Sequence, residues 1–317
     1  MRFFFLLALL VTFPACSQIT SWDDEMVEVI KPDQSGILMN AKPLFDLSWN
    51  TLPQPNFWKE IMLLSPDSCL INVASSRVVL AKMSNKEWGR QSELQKSLFK
   101  DSVKLAYKLD DNEKIFITTG KNDFYRFNDV YPSISKGIVA FESHGVDPWY
   151  AQAILLIESP GQLKKSVAGA YGAFQLMPSV ARAQGLTVTK YVDDRKDFEK
   201  SAYGASRLIS RVCIPEAKKI LNDHQIAYNE SDLWFRLFVL HVYHAGAMNV
   251  KAVVNKINPT EGGQALITTM WQTSAAAFGN SSQNYTQLAL ASQIILHDMT
   301  KKHSVKLFDC VDELVIQ

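Results

Sequence analysis

The sequence predicts a mainly α-helical protein, in which a small helical or α+β region precedes a larger helical domain. From Tyr131 onward the segments are helix-like and are separated by Gly and Pro, while the alternating pattern typical of strands is nearly absent. Hydrophobic residues make up 47% of the 317 residues. That share is enough for one large or two ordinary domains with real cores.

The charge balance disfavours nucleic acid as a partner. Lys and Arg total 33, and Asp and Glu total 32. A nearly neutral chain is not built to neutralise a phosphate backbone. We therefore expect no nucleic-acid partner.

The N-terminus is typical of an export signal. One Arg precedes the apolar run Phe3–Val11, and the small residue Ala15 follows at a plausible cleavage site, so residues 1–16 are predicted to be a signal peptide. Phe13-Pro14-Ala15-Cys16 resembles the lipobox of bacterial lipoproteins, although Phe13 replaces the usual Leu. We expect Cys16 to be lipidated and the protein to be an outer-membrane lipoprotein of the periplasm, with ordinary cleavage near Cys16 as the alternative.

Two regions precede the helical domain. Residues 17–60 contain four prolines among Asp, Ser and Asn and show little periodicity, which predicts an irregular tether. Residues 61–125 are predicted to form an accessory region, with an amphipathic helix around Leu94–Leu109 and a strand over Ile115–Thr119. No chemistry is indicated in this region.

A short helix ends at an acid. Asp147 is a predicted N-cap, Pro148 opens an almost wholly apolar helix, and the helix stops at Glu158 before Pro160-Gly161. Such a helix should be buried. Burial and the negative end of the helix should both raise the pKa of Glu158, as general acid catalysis requires. The alternative is a solvated acid at a frayed helix end.

The residues after this helix extend the pattern. Two glycines lie among small residues in a stretch that lets backbone approach a ligand closely, Ser166-Val-Ala-Gly-Ala-Tyr-Gly-Ala-Phe-Gln175-Leu-Met177-Pro. With Glu158-Ser159, this stretch resembles the core motif of the soluble-lytic-transglycosylase family. Val242–Val250 and Ser281–Thr286 are similar to two further blocks of that family, in the same order. Three departures stand out: a shorter interval from Glu158 to Ser166, His244 in place of Asn, and Ser281 in place of Glu.

The resemblance implies a goose-lysozyme-like domain over residues 126–300, followed by a C-terminal tail, 301–317. It also implies a peptidoglycan glycan strand as substrate and Glu158 as the catalytic acid and base. Glu158 would cleave the MurNAc–GlcNAc β-1,4 bond without water and leave a 1,6-anhydro-muramoyl end. Six residues would bind substrate: Ser166, Gln175, Met177, Tyr243, His244 and Tyr285.

Two alternatives remain open. A lysozyme-type hydrolase would need a second carboxylate across the cleft, and residues 159–192 contain no Asp or Glu. A non-catalytic peptidoglycan-binding scaffold would keep the fold and lose turnover. No cofactor and no metal is expected, because His241 and His244 lack a third ligand at a recognisable spacing. Cys69, Cys213 and Cys310 allow one disulfide at most.

Overall fold

The computed structural model describes residues 22–31, 34–158 and 165–314. The predicted signal peptide, 1–16, and Cys16 lie outside these residues. The predicted class is confirmed, because the chain is mainly helical with small sheets towards its N-terminus. No helix among the described residues is long and apolar enough to cross a membrane.

The prediction of an irregular tether over residues 17–60 is wrong for the part that the structure describes. An antiparallel hairpin of β1 (Met26–Lys31) and β2 (Gln34–Met39) is followed by α1 (Lys42–Asp46), a 3₁₀ turn (Trp49–Thr51) and α2 (Pro53–Leu63). Trp49 and Phe57 are each only 1% exposed and belong to the core of the helical domain. Pro43 and Pro53 stand in the first turns of α1 and α2, where proline opens a helix.

A three-stranded antiparallel sheet makes up most of the predicted accessory region. Its strand order is β4-β3-β5, and helices α3 and α4 lie between β4 and β5 in the chain. The bounds are β3 (Ser68–Val73), β4 (Val79–Ser84), α3 (Asn85–Arg90), α4 (Glu93–Ala106) and β5 (Ile115–Thr119). The predicted strand over Ile115–Thr119 is confirmed. The predicted helix is also confirmed, but Leu94 and Leu98 face solvent, while Val103 joins the small core under the sheet.

The larger domain consists of helices. They are α5 (Phe127–Ser143), α6 (Trp149–Glu158), α7 (Pro178–Ala183), α8 (Phe198–Leu208), α9 (Ile214–Asp223), α10 (Leu233–Ala245), α11 (Ala247–Ile257), α12 (Gln264–Met270) and α13 (Asn280–Leu314). A 3₁₀ turn, Asp194–Lys196, precedes α8, and a π-helical segment, Ile209–Cys213, joins α8 to α9. The described part of the predicted C-terminal tail, residues 301–314, continues helix α13 without a break.

Helix α6 lies at the centre of this domain. Every residue over 149–157 is buried, and the helix packs against α5 and α13. Gly137 of α5 makes the α5–α6 contact possible, because a side chain there would collide with Leu155. The predicted N-cap is confirmed, since the Asp147 carboxylate accepts a hydrogen bond from the Trp149 N–H at 2.9 Å.

Polar contacts tie α6 and its N-cap to the N-terminal hairpin and to the residue before it. The Gln152 amide accepts a hydrogen bond from the Met39 N–H and donates one to the Met39 carbonyl, each at 2.9 Å. Arg236 of α10 donates to Asp147 and to Glu25, which immediately precedes β1, both at 2.7 Å. Burying a guanidinium is tolerable only with such paired carboxylates. The hairpin is therefore part of the packing around α6.

Candidate active site

The acid predicted from sequence lies at the end of the buried helix. Glu158 is the last residue of α6 and is only partly exposed. Burial raises the pKa of Glu158 to about 7, and the nearby Tyr285 hydroxyl partly opposes this by favouring the carboxylate. Near neutral pH the carboxyl is thus divided between its protonated and ionised forms.

Tyr285 lies beside this acid. It is 3% exposed and comes from the second turn of α13. Burial, and then the charge of Glu158, raise the pKa of the Tyr285 hydroxyl. The hydroxyl has no partner with ordinary hydrogen-bond geometry among the described residues, so its interaction with Glu158 is looser than a regular hydrogen bond.

Two more predicted residues contact or border this pair. The His244 ring stacks on Tyr285, with centroids 4.3 Å apart, and its side chain is exposed. Tyr243 donates a hydrogen bond to the Phe174 carbonyl at 2.6 Å, and burial and the Glu158 charge raise the pKa of its hydroxyl. Tyr243 therefore ties α10 to the loop that contains Gln175.

Tyr125 is a site residue that sequence analysis missed. It precedes α5, is buried, and stacks on Phe127. Burial raises the pKa of Tyr125, and the charge of Glu158 raises it further. The two side chains are therefore close enough to interact electrostatically. Its neighbourhood, Asn-Asp-Phe-Tyr-Arg-Phe, has no spacing that distinguishes a site residue from a core aromatic. Only the fold brings it close to Glu158.

The loop over residues 165–177 is built by its glycines and by a buried arginine. Gly172 adopts a positive φ of 86°, and a side chain there would collide with the Arg195 carbonyl. The Arg195 guanidinium donates to the carbonyls of Gly169 and Leu176, both at 2.9 Å, and pairs with Asp193 at 2.7 Å. Arg195 was also missed, because it lies 18 residues beyond Met177 in a polar stretch.

The three predicted loop residues differ from one another in their surroundings. The Ser166 hydroxyl accepts a hydrogen bond from the Ala170 N–H at 2.9 Å, so it stabilises the turn itself. Gln175 has a positive φ of 46° and donates to the Gly172 carbonyl at 3.0 Å. Met177 is 38% exposed at the start of α7. Of the three, Gln175 lies beside Phe174, whose carbonyl anchors Tyr243.

No second carboxylate among the described residues acts on the pKa of Glu158. The acids nearest in sequence are engaged elsewhere or exposed: Asp147 pairs with Arg236, Asp193 with Arg195 and Asp194 with Lys200, Asp197 caps α8, and Glu142 and Glu199 face solvent. Residues 159–164 include no Asp or Glu. Glu158 therefore stands without an opposing carboxylate in this part of the chain.

His241 and the two cysteines that the structure describes are buried core groups. His241 is fully buried, and its Nε2 lies 2.9 Å from the Thr286 hydroxyl, which also accepts from the Trp271 indole. Burial lowers the pKa of His241 to about 3, so the ring is a neutral core group. The described residues include no cluster of His, Cys, Asp and Glu suited to a metal. Cys69 and Cys213 are buried free thiols.

Comparison with protein families agrees with this geometry. Residues 138–262 match the family model "Transglycosylase SLT domain". The matched range includes Glu158, the loop up to Met177, and Tyr243, while Tyr125 precedes it and Tyr285 follows it. No curated protein and no solved structure matches the chain.

Proposed function

Since residues 138–262 belong to the transglycosylase SLT family, whose members cleave peptidoglycan, we propose that this chain is a lytic transglycosylase with Glu158 as its single acid and base. It would cleave the MurNAc–GlcNAc β-1,4 bond and leave a 1,6-anhydro-muramoyl end. The observation that carries the proposal is the carboxyl of Glu158, which ends a buried apolar helix and has its pKa raised to about 7 by burial.

A pKa near neutrality suits both halves of this reaction. In the first half, Glu158 donates its proton to the glycosidic oxygen as the bond breaks, and the acetamido group of the substrate assists. In the second half, the resulting carboxylate removes the proton from the muramoyl O6 hydroxyl, which attacks C1. One group can serve in both roles when its pKa lies close to the working pH. No water is consumed.

The lack of an opposing acid among the residues that the structure describes favours this reaction over hydrolysis. Inverting and retaining glycosidases usually place a second carboxylate across the scissile bond, as base or nucleophile. Among the described residues, no carboxylate acts on the pKa of Glu158. The scaffold alternative is disfavoured because a chain that binds without turnover has no need of a buried acid with a perturbed pKa.

The surrounding side chains have distinct roles in this proposal. The Tyr285 hydroxyl favours the ionised form of Glu158, so it would stabilise the carboxylate that forms after proton donation. Tyr243 is committed to the Phe174 carbonyl and would hold the wall of the cleft in place. Ser166, Gln175 and Met177, with the exposed face of His244, would contact the sugars.

A location in the cell envelope is part of the proposal. Peptidoglycan lies outside the inner membrane, and the export signal predicted over residues 1–16 would bring the enzyme to it. Lipidation of Cys16 would then hold it at the outer membrane. Mass spectrometry of the mature N-terminus from cells tests this step, and an unmodified N-terminus would refute the anchor.

Product analysis tests the reaction. Purified mature protein is incubated with peptidoglycan, beside Glu158→Gln and the control Glu142→Gln, which alters an exposed acid of α5. We expect anhydro-muramoyl ends, seen by mass spectrometry, with the wild type and the control but not with Glu158→Gln. Reducing ends would mean a hydrolase. Binding of glycan without any product would support the scaffold.

A further inference from the structure

A polar groove lies between the accessory sheet and the helical domain. Its cavity of about 660 Å³ falls within the range of roughly 300–1,000 Å³ that is usual for ligand sites. One wall comes from the β3–β4 turn, from residues 112–114 and from Phe116 of β5. The other comes from the segment after α12 and from the first turns of α13.

A buried arginine holds the two walls together. Arg77, in the β3–β4 turn, has a positive φ of 63° and is 6% exposed. Its guanidinium donates to the side-chain oxygens of Asn280 and Asn284 on α13, at 3.2 and 3.0 Å. It also lies 5.5 Å from the centre of the Phe116 ring, at a cation–π distance. Specific contacts between the two walls therefore hold the groove in shape.

The lining matches the chemistry of a sugar chain. Most of its polar side chains are neutral amides and hydroxyls, including Asn112, Gln272, Ser274 and Gln283. Those of Asn112 and Gln272 form no hydrogen bond with other described residues, so both amides are available to a ligand. Phe116 is 39% exposed and offers an apolar ring face.

The charge of the groove does not select a polyanionic ligand. Its charged lining residues are Arg77, Lys114 and Glu113, and Arg77 already donates to Asn280 and Asn284. Two cations and one anion give the lining a net charge of only +1, which is too small to select a polyanion and is compatible with the single lactyl carboxylate of each MurNAc residue. Neutral hydroxyl and acetamido groups are better partners for such a surface.

The groove is separate from the catalytic site. Gln283 and Gln287 of α13 line the groove, whereas Tyr285 lies beside Glu158. At 3.6 residues per turn, a step of two residues turns about 200° around the helix axis. The two sites therefore occupy opposite sides of the start of α13.

We propose that this groove is a second glycan-binding site, which holds a distant part of the same strand or a neighbouring strand while Glu158 acts on the scissile bond. This inference rests on the proposed function, because it takes peptidoglycan as the polymer. Its consequence is a difference between substrates. Losing the groove should weaken the hold on polymeric glycan and leave the cleavage of short fragments unchanged.

Binding is measured on a Glu158→Gln background, so that the probe stays intact. The probe is peptide-free glycan strands prepared with an amidase. The variant is Asn112→Ala with Gln272→Ala, which changes two exposed residues whose side chains form no hydrogen bond with other described residues. Loss of two hydrogen bonds at about 0.5–1.5 kcal/mol each should weaken binding at least about fivefold. Asn222→Ala, an exposed amide on α9, is the matched control and should bind as before.

Further measurements distinguish the possible outcomes of this test. With Glu158 intact, the double variant should cleave a short muropeptide tetrasaccharide at the wild-type rate and release less product from whole sacculi. Gln272→Trp, which would fill the groove, should repeat both effects. Unchanged strand binding in the double variant, or a groove that binds isolated stem peptide instead, would overturn the inference. Failure of the wild type to form anhydro ends would refute the proposed function without deciding the binding result.

Discussion

Replacing Glu158 with Gln should stabilise the protein at alkaline pH and leave its stability nearly unchanged at acid pH. Burial raises the pKa of Glu158 from 4.5 to about 7. The folded protein therefore holds this proton more tightly than the unfolded chain does, and stability falls as the pH rises from about 4.5 through about 7. Gln cannot ionise, so the variant escapes this loss.

The size of the effect follows from the shift in pKa. A shift of about 2.5 units at 1.36 kcal/mol per unit corresponds to about 3.4 kcal/mol. Glu158 is partly exposed, and screening by water reduces this figure to about 2 kcal/mol. Above pH 7.5 we therefore expect the melting temperature of Glu158→Gln to exceed that of the wild type by a few degrees. Below pH 4.5 the two should nearly coincide.

Thermal unfolding followed by circular dichroism between pH 4 and 8.5 provides the measurement. The difference in Tm between variant and wild type is the useful quantity, because other titrating groups contribute equally to both. Glu142→Gln, which replaces an exposed acid on α5, is the control and should change the Tm only slightly. A Tm difference for Glu158→Gln that is constant from pH 4 to 8.5 would refute the burial of an ionisable acid at this position.

Three further variants test the site and its support. Tyr285→Phe removes the group that lowers the pKa of Glu158, so the alkaline limb of the kcat/KM profile should move to higher pH, and an unmoved limb would contradict the pairing. Gly172→Ala places a side chain against a backbone carbonyl at a positive φ and should lower both stability and activity, as a drop in Tm would show. Asp147→Ala leaves the Arg236 guanidinium short of a partner and should cost about 3–5 kcal/mol in urea unfolding, where a loss below 1 kcal/mol would mean that the pair is dispensable.

The catalytic helix could be predicted because its signals are local. The cap at Asp147, the apolar run and the stop after Glu158 lie within 15 residues, and all three determine where α6 begins and ends. The same holds for β5, whose bounds match the predicted strand Ile115–Thr119. Where neighbouring residues alone decide the structure, pattern and structure agree.

The prolines of α1 and α2 explain why the sequence pattern predicts a tether where the structure has helices. Proline breaks a helix in its interior but opens one in its first turn. Pro43 and Pro53 are of the second kind. The buried positions of Trp49 and Phe57 follow from contacts with the helical domain, far along the chain, and those contacts leave no periodicity in residues 17–60.

Tyr125 and Arg195 illustrate what single-sequence patterns cannot supply. Each lies outside the motif residues, Tyr125 before α5 and Arg195 in a polar stretch before α8. Their roles depend on which distant groups the fold brings to them: the Glu158 charge for Tyr125, and two loop carbonyls for Arg195. A buried aromatic or a buried arginine becomes recognisable as a site residue only with its neighbours in view.

The N-terminal hairpin helps to hold the catalytic helix α6 in place. The chain has to hold a short apolar helix so that its last residue, an acid, stays buried at a defined place. Residues outside the matched family range help to hold it there. The Met39 backbone pairs with the Gln152 amide within α6, and Glu25 binds the same Arg236 side chain as Asp147, the N-cap of that helix. A segment that resembled a tether in sequence thus helps to fix the position of α6, and the raised pKa of Glu158 depends on that position.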